Sequence, residues 1–179
     1  MVYLLLADGF EEVEALTPVD LLRRSGVEVI TVGIGGLEIV GARGVKVIAD
    51  TADRDVQMEK MDMLILPGGY PGYENLDRSP IVHRFIDAAL QQGAMVAAIC
   101  GAPSILGGRG DLKGKRACCY PGMEDTLKGA EVCFEPVCVD DKFITSRSAA
   151  TAMDFAMTLV ELLCGKQQRD TLAAQIVLE

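Results

Sequence analysis

Short, uninterrupted apolar runs separated by helical patterns constrain the fold of this chain more than any other feature. The runs cover residues 2–7, 63–66 and 94–99. Runs of this length without polar alternation are typical of strands that are covered on both faces. Helical spacing marks residues 11–25, 79–92 and 149–164. Buried strands that alternate with helices predict an α/β fold, with a mostly parallel sheet between two helix layers.

Shorter elements complete this prediction. We expect further strands at residues 27–33, 115–119 and 131–134, a helix from Pro103, and a last helix at 167–176. Two hairpins are predicted, one pairing residues 38–40 with 45–48 and the other pairing 137–139 with 143–145. No linker or repeat interrupts the 179 residues, half of which are hydrophobic. We therefore expect a single domain spanning residues 1–179.

The charge balance and the first residues bear on partners and location. The net charge of -9 disfavours binding to phosphate backbones, so we expect no nucleic-acid partner. The apolar run at residues 2–7 is too short for a signal sequence and has no basic flank. No run approaches the roughly 20 apolar residues of a membrane span. These features predict a cytoplasmic protein without a membrane partner.

The cysteines are predicted to be free thiols. There are six of them, and no Cys-x-x-Cys motif occurs. A cytosolic chain of this size does not depend on disulfides. Four cysteines could in principle hold zinc, namely Cys118, Cys119, Cys133 and Cys138. Their spacing is not that of a zinc finger or ribbon, so we predict no metal site.

Cys100 is the strongest candidate for a reactive residue. It follows a buried strand directly, and a helix is predicted to begin at Pro103. A turn this sharp requires small neighbours, which Gly101 and Ala102 supply, as at the nucleophile elbow of hydrolases. A helix N-terminus beside the sulfur would favour the thiolate. The alternative is a buried cysteine that serves only as a small apolar side chain.

Two other strand ends lie beside Cys100 in a parallel sheet. Gly68 and Gly69 end one of them, and the amides of Gly69, Gly101 and Ala102 are predicted to form an oxyanion hole. An ordinary glycine turn is the alternative.

Glu14 begins the apolar part of the first helix, where it either complements the helix dipole or lies beside the thiol. In the second case a raised pKa would let Glu14 keep a proton to donate.

The single histidine is not predicted to act with Cys100. His83 lies on the helix at residues 79–92, whose apolar positions occupy the other side. A Cys-His pair requires hydrogen-bond contact between the two side chains. Nothing in the sequence places His83 near Cys100, so we interpret it as structural.

Five motifs in this order resemble the ThiJ/PfpI family of the class I glutamine-amidotransferase-like superfamily. They are LADGFEEVE at residues 6–14, PVDLLRRSG at 18–26, LPGG at 66–69, AAICGAP at 97–103 and ITSR at 144–147. The chain is most similar to bacterial-type members of the parkinsonism-associated protein deglycase branch. The resemblance implies a flavodoxin-like sandwich and a homodimer, with Arg24 at the dimer contact.

The resemblance also implies roles for site residues. Cys100 would be the reactive residue, Glu14 the acid that hydrogen-bonds its sulfur, and Arg43 an arginine near the partner's site. The sequence departs from the family at two positions. Tyr120 replaces a histidine of the human-type branch, and residues 148–151 read Ser148-Ala-Ala-Thr instead of Gly-Pro-Gly-Thr. We expect Gly68 and Arg43 to line the pocket together with Tyr120 and Ser148. The segment at residues 148–151 helps line it in the family, so these departures affect substrate preference.

Three functions follow as hypotheses. The first is a cofactor-free glyoxalase or deglycase that acts on small 2-oxoaldehydes or their early adducts, with Cys100 as nucleophile and Glu14 as proton shuttle. The second is a redox-sensing or protein-protective module that uses oxidation of Cys100. For Cys118 and Cys119 the alternatives are a resolving thiol and a buried structural role, and we favour the structural role. The third is a cysteine peptidase, which is disfavoured because Tyr120 is a poor base near neutral pH.

Overall fold

The computed structural model describes residues 1–58 and 60–178. The strands are β1 (Val2–Leu6), β2 (Val29–Gly33), β3 (Glu38–Val40), β4 (Lys46–Ile48), β5 (Thr51–Ala52), β6 (Met63–Leu66), β7 (Met95–Ile99), β8 (Arg116–Ala117), β9 (Glu131–Val132), β10 (Val137–Asp140) and β11 (Phe143–Ser146). The helices are α1 (Glu12–Arg24), α2 (Gly72–Arg78), α3 (Pro80–Gln92), α4 (Pro103–Arg109), α5 (Ala152–Cys164) and α6 (Lys166–Gln175). Across these two ranges, no helix combines the length and apolarity needed to cross a bilayer.

Seven strands form the central sheet, in the order β10-β11-β7-β6-β1-β2-β5. All neighbours in this sheet are parallel except β10 and β11, which form an antiparallel hairpin at one edge. The predicted α/β fold with a mostly parallel sheet is therefore confirmed. Because parallel strands end at the same edge, the carboxyl ends of β1, β6 and β7 lie side by side.

The two faces of the sheet bury separate apolar cores. Along β1, Tyr3 and Leu5 point into the core covered by α3 and α4, and Leu4 and Leu6 point into the core covered by α1 and α5. This alternation follows from the two-residue period of a strand. Burying a large apolar side chain contributes roughly 1.5–3 kcal/mol. Both cores therefore hold the strand ends rigidly in place.

Some elements differ from the sequence prediction. The strands predicted at 115–119 and 131–134 shorten to β8 and β9, which pair with each other outside the central sheet. Neither α2 nor β5 was predicted, because elements of seven and two residues are too short to show a clear hydrophobic periodicity. Residues Ala149–Thr151 form a 3-10 turn before α5 begins, capped reciprocally by Ser148 and Thr151.

Candidate active site

Cys100 occupies a strained turn between β7 and α4. Its φ is 65°, a left-handed conformation that costs a non-glycine residue about 1–3 kcal/mol. Two backbone hydrogen bonds hold it there: the Cys100 amide donates to Ser146 O at 3.0 Å, and the Tyr120 amide donates to Cys100 O at 2.8 Å. The side chain is half-buried. The geometry is that of a nucleophile elbow, as the small neighbours of Cys100 predicted.

Glu14 lies beside the cysteine, in the first turn of α1. Its carboxyl is buried, hydrogen-bonds the Cys100 side chain, and accepts the Gly68 amide at 3.1 Å through Oε2. The Glu11 side chain caps the helix by accepting the Glu14 amide at 2.8 Å. The sequence hypothesis that the glutamate meets the thiol therefore agrees with the geometry.

Gly68 packs against both Glu14 and Cys100, and there is no room for a side chain at this position. A Cβ at this position would lie 2.5 Å from Glu14 Oε2 and 2.6 Å from Cys100 Cβ. Both distances are shorter than any normal van der Waals contact. The prediction that Gly68 lines the pocket is therefore corrected: Gly68 lies beneath the cavity, where its amide positions Glu14.

The environment of Glu14 favours its protonated form. Burial is the largest cause, the nearby Glu11 carboxylate adds to it, and together they raise the pKa of Glu14 to about 7. Hydrogen bonds from Cys100 and from the amides of Gly68 and Ala149 act in the opposite direction. Near neutral pH the carboxyl can therefore both accept and donate a proton, which corresponds to the second of the two alternatives that the sequence left open for Glu14.

The pKa of Cys100 moves opposite to the expected direction. Burial, the charge of Glu14 and the hydrogen bond to that carboxylate raise it to about 12, and the Gly69 and Gly101 amides lower it only in part. The pKa of Cys100 is raised instead of lowered because burial and the adjacent Glu14 carboxyl outweigh the Gly69 and Gly101 amides at the turn. Cys100 is thus a thiol that donates its hydrogen to Glu14.

Two of the three predicted oxyanion donors face the sulfur. The amides of Gly69 and Gly101 hydrogen-bond Cys100. Gly69 has a φ of 95°, and a Cβ there would overlap the Glu11 amide, so only glycine fits. The assignment of Ala102 is wrong, because its amide already donates to Ile99 O at 3.1 Å in the turn.

A cavity of about 600 Å³ opens above Cys100 and Glu14. Three predicted pocket residues line it: Arg43, Tyr120 and Ser148. Arg43 lines the cavity of its own chain, whereas the resemblance placed it near the site of a partner. Ala149 and Ala150, in the segment that the resemblance placed at the pocket, line it as well, whereas the sequence analysis missed Glu11, Tyr70, Tyr73 and Met123. Tyr70 and Tyr73 follow a parallel strand end, which is the signal that could have found them.

His83 lies away from this cavity, on α3. Its Nε2 is 2.6 Å from Asp77 O, and its Nδ1 is 3.2 Å from a guanidinium nitrogen of Arg109. It is not among the residues that line the cavity. The absence of a Cys-His pair, which disfavours the peptidase hypothesis, agrees with the sequence analysis.

These features together define a class of protein: a flavodoxin-like α/β sandwich that places a cysteine on a strained strand-to-helix turn beside a buried glutamate. The chain belongs to the DJ-1/PfpI family, whose model matches residues 1–162. The resemblance found in the five sequence motifs is thereby confirmed.

Relatives and solved structures of this family resemble the chain over nearly its whole length. Protein DJ-1 homolog B of Arabidopsis thaliana is 36% identical over 176 residues, 97% of this chain but only 40% of the plant protein. The glutathione-independent glyoxalase DJR-1.2 of Caenorhabditis elegans is 29% identical over 98% of this chain and 94% of its own length. The structure of oxidized Toxoplasma gondii DJ-1 superposes with a TM-score of 0.94 at 34% identity, covering 98% of this chain and 97% of that one.

Proposed function

We propose that this protein is a cofactor-free glyoxalase that converts small 2-oxoaldehydes, or their early adducts, to 2-hydroxy acids. The observation that carries the proposal is the hydrogen-bonded pair of Cys100 and Glu14 at the base of a cavity. The relative from Caenorhabditis elegans, described as a glutathione-independent glyoxalase, supports the same chemistry. A thiol supplied by the protein takes the place that glutathione would otherwise fill.

The first step adds the Cys100 thiol to the aldehyde. Sulfur bonds to C1, the thiol proton passes to Glu14, and Glu14 returns it to the aldehyde oxygen. The product is a hemithioacetal. A thiol with a pKa of about 12 needs a neighbouring base, and the ionised form of Glu14 is that base. The Gly69 and Gly101 amides, which face the sulfur, stabilise the negative charge that develops there.

The second step moves hydrogen between adjacent carbons. Glu14 removes the proton from C1 and returns one to C2, while the C1 hydroxyl proton passes to the C2 oxygen. C1 becomes a thioester carbonyl and C2 a hydroxyl-bearing carbon. The oxidation of C1 equals the reduction of C2, so the step needs no external oxidant or reductant. Water then cleaves the thioester, which releases the 2-hydroxy acid and restores the thiol.

A methylglyoxal assay tests the proposal. Lactate should form with wild-type protein and fall to the background rate with Cys100→Ala, because the covalent intermediate cannot form. Cys164→Ala is the matched control, since Cys164 is also half-buried but ends α5 outside the cavity. Equal lactate from wild type and Cys100→Ala would contradict the proposal.

A redox-responsive role of the same cysteine is the second candidate. Cys100 faces an open cavity, and the Toxoplasma gondii relative is described as oxidized. Glu14 would hydrogen-bond the oxidised sulfur. Cys118 and Cys119 are both buried, which argues against either as a resolving thiol. Peroxide treatment followed by mapping of the modified cysteines tests this role, and it fails if Cys100 is modified no faster than the other five thiols.

A further inference from the structure

A cluster of sulfur and oxygen donors lies at the sheet edge formed by β10. The two sulfurs of Cys133 and Cys138 and a carboxylate oxygen of Glu135 lie within 4.8 Å of one another. Cys133 and Glu135 lie between the end of β9 and the start of β10, and Cys138 is the second residue of β10. This donor cluster takes no part in the cavity above Cys100.

A third sulfur adjoins the donor cluster. Cys118 follows β8, and its thiol lies close enough to Cys133 and to the Cys138 amide for both to affect its pKa. The Thr145 hydroxyl lies 3.6 Å from the Cys118 sulfur, and the Cys118 amide donates to the same hydroxyl at 2.9 Å. Three cysteines from three different strand ends therefore share one contiguous patch.

The residues around the donor cluster offset the charge of ionised thiols and leave a path for a metal ion to enter. Arg116 donates to Glu135 at 3.0 Å, and its guanidinium charge also acts on Cys133 and Cys138. A positive charge there offsets the negative charge that accumulates when several thiols ionise around one ion. Glu135 is exposed, Cys133 is half-buried and Cys138 is buried, so an ion can enter from the Glu135 side.

We propose that Cys133, Glu135 and Cys138 bind Zn²⁺, with Cys118 as the fourth donor. Zinc accepts mixed thiolate and carboxylate ligands in a tetrahedron, with sulfurs at about 2.3 Å from the ion and hence about 3.8 Å from each other. The donor atoms of Cys133, Glu135 and Cys138 lie within 4.8 Å of one another, so only small side-chain movements bring these three into this geometry. Thiolates disfavour Mg²⁺ and Ca²⁺, which prefer oxygen donors.

Binding displaces protons and ties neighbouring elements together. Each cysteine that ligates the ion exchanges its thiol proton for a sulfur–zinc bond, so three protons leave and no electron is transferred. The ion links β10 to the ends of β8 and β9, which lie outside the central sheet. This site is independent of the proposed glyoxalase chemistry, because it uses neither Cys100 nor Glu14.

Titration of the fully reduced protein with Co²⁺, a spectroscopic substitute for Zn²⁺, tests the proposal. We expect one ion per chain, with thiolate-to-cobalt charge-transfer absorption that Zn²⁺ abolishes. Cys133→Ser and Cys138→Ser should each weaken binding by at least about 100-fold, since loss of even an outer-shell partner costs about 10–100-fold. Cys118→Ser should weaken it as well.

Two variants serve as controls. Cys100→Ser removes the active-site thiol and Cys164→Ser removes a half-buried thiol outside the donor cluster, so both should bind the ion like wild type. Zn²⁺ should also raise the Tm of wild type and of both controls, but not that of Cys133→Ser, whose folding is checked by circular dichroism. The proposal is overturned if Cys133→Ser and Cys138→Ser bind as tightly as wild type, or if Cys100→Ser abolishes binding.

Discussion

At the scale of single residues, the chemistry of Cys100 depends on where one proton resides. Glu14 has a pKa of about 7 and Cys100 a pKa of about 12, and the two side chains hydrogen-bond each other. Below pH 7 the carboxyl is protonated and no longer repels a negative sulfur. Above pH 7 its charge holds the proton on the thiol.

Glu14→Gln should therefore accelerate the alkylation of Cys100. Glutamine keeps the shape of the side chain but removes both the charge and the carboxylate acceptor that raise the pKa of Cys100. At pH 8 we expect iodoacetamide to react at least about tenfold faster than in wild type. This rate corresponds to a fall of about one unit or more in the pKa of Cys100, since one unit is a tenfold change in thiolate fraction. The ratio of the two rates should grow as pH rises through about 7, where Glu14 ionises.

A carboxylate on the same helix provides the control for this experiment. Asp20 is exposed on α1 and pairs with Arg24, so Asp20→Asn should leave the rate unchanged at every pH. The expected coupling is contradicted if Glu14→Gln reacts no faster than wild type at pH 8.

At the scale of elements, α4 shows how tightly the structure packs behind the site. Two consecutive glycines face opposite environments on this helix. Gly107 is buried, and a Cβ there would overlap the Thr126 carbonyl oxygen and lie 2.9 Å from Leu127 Cα. Gly108 is exposed, and a Cβ there would meet nothing within 4 Å. Gly107 is required by packing, whereas Gly108 is not.

The two alanine substitutions should therefore change stability with opposite signs. Gly107→Ala should destabilise the fold by about 1–3 kcal/mol, because extra volume in a packed region forces backbone shifts. Gly108→Ala should stabilise it by about 0.5–1 kcal/mol, because alanine loses less conformational freedom in a helix. Urea unfolding measures both values. Equal effects of the two substitutions would show that α4 does not pack as described.

The elements themselves could largely be predicted from the sequence. The long strands and helices show a clear hydrophobic pattern in the sequence. Their predicted positions agree with β1, β6, β7, α1, α3 and α5 within a few residues. The prediction was weaker where segments are short. The partners of residues 116–117 and 131–132 are set by contacts across the fold, which no local pattern encodes.

At the scale of the whole molecule, the homodimer implied by the family resemblance remains a prediction. Arg24 is exposed on α1 and donates to Asp20 at 2.8 Å, so it is accessible to a second copy. Light scattering should give twice the 19.2 kDa mass of the chain. Arg24→Glu should shift the protein toward the monomer, because it reverses the charge of a residue that the family resemblance places at the contact.

Arg78→Glu is the matched control for the dimer experiment. Arg78 pairs with Glu74 one helical turn away on α2, as Arg24 pairs with Asp20 on α1. Arg78→Glu therefore makes the same change of charge at a different surface. This variant should remain dimeric. A monomeric wild type, or equal dissociation of both variants, would contradict the predicted role of Arg24.

The sequence by itself determined the order of strands and helices and the strained turn at Cys100, because apolar periods and small neighbours are local properties. Only the tertiary structure decided the protonation of that cysteine. Glu14, Gly68 and Gly69 come from other strand ends, and their burial and charge outweigh the helix that follows the sulfur. The same is true of Cys118, Cys133 and Cys138, whose sequence spacing resembles no metal motif, because three strand ends bring their sulfurs together.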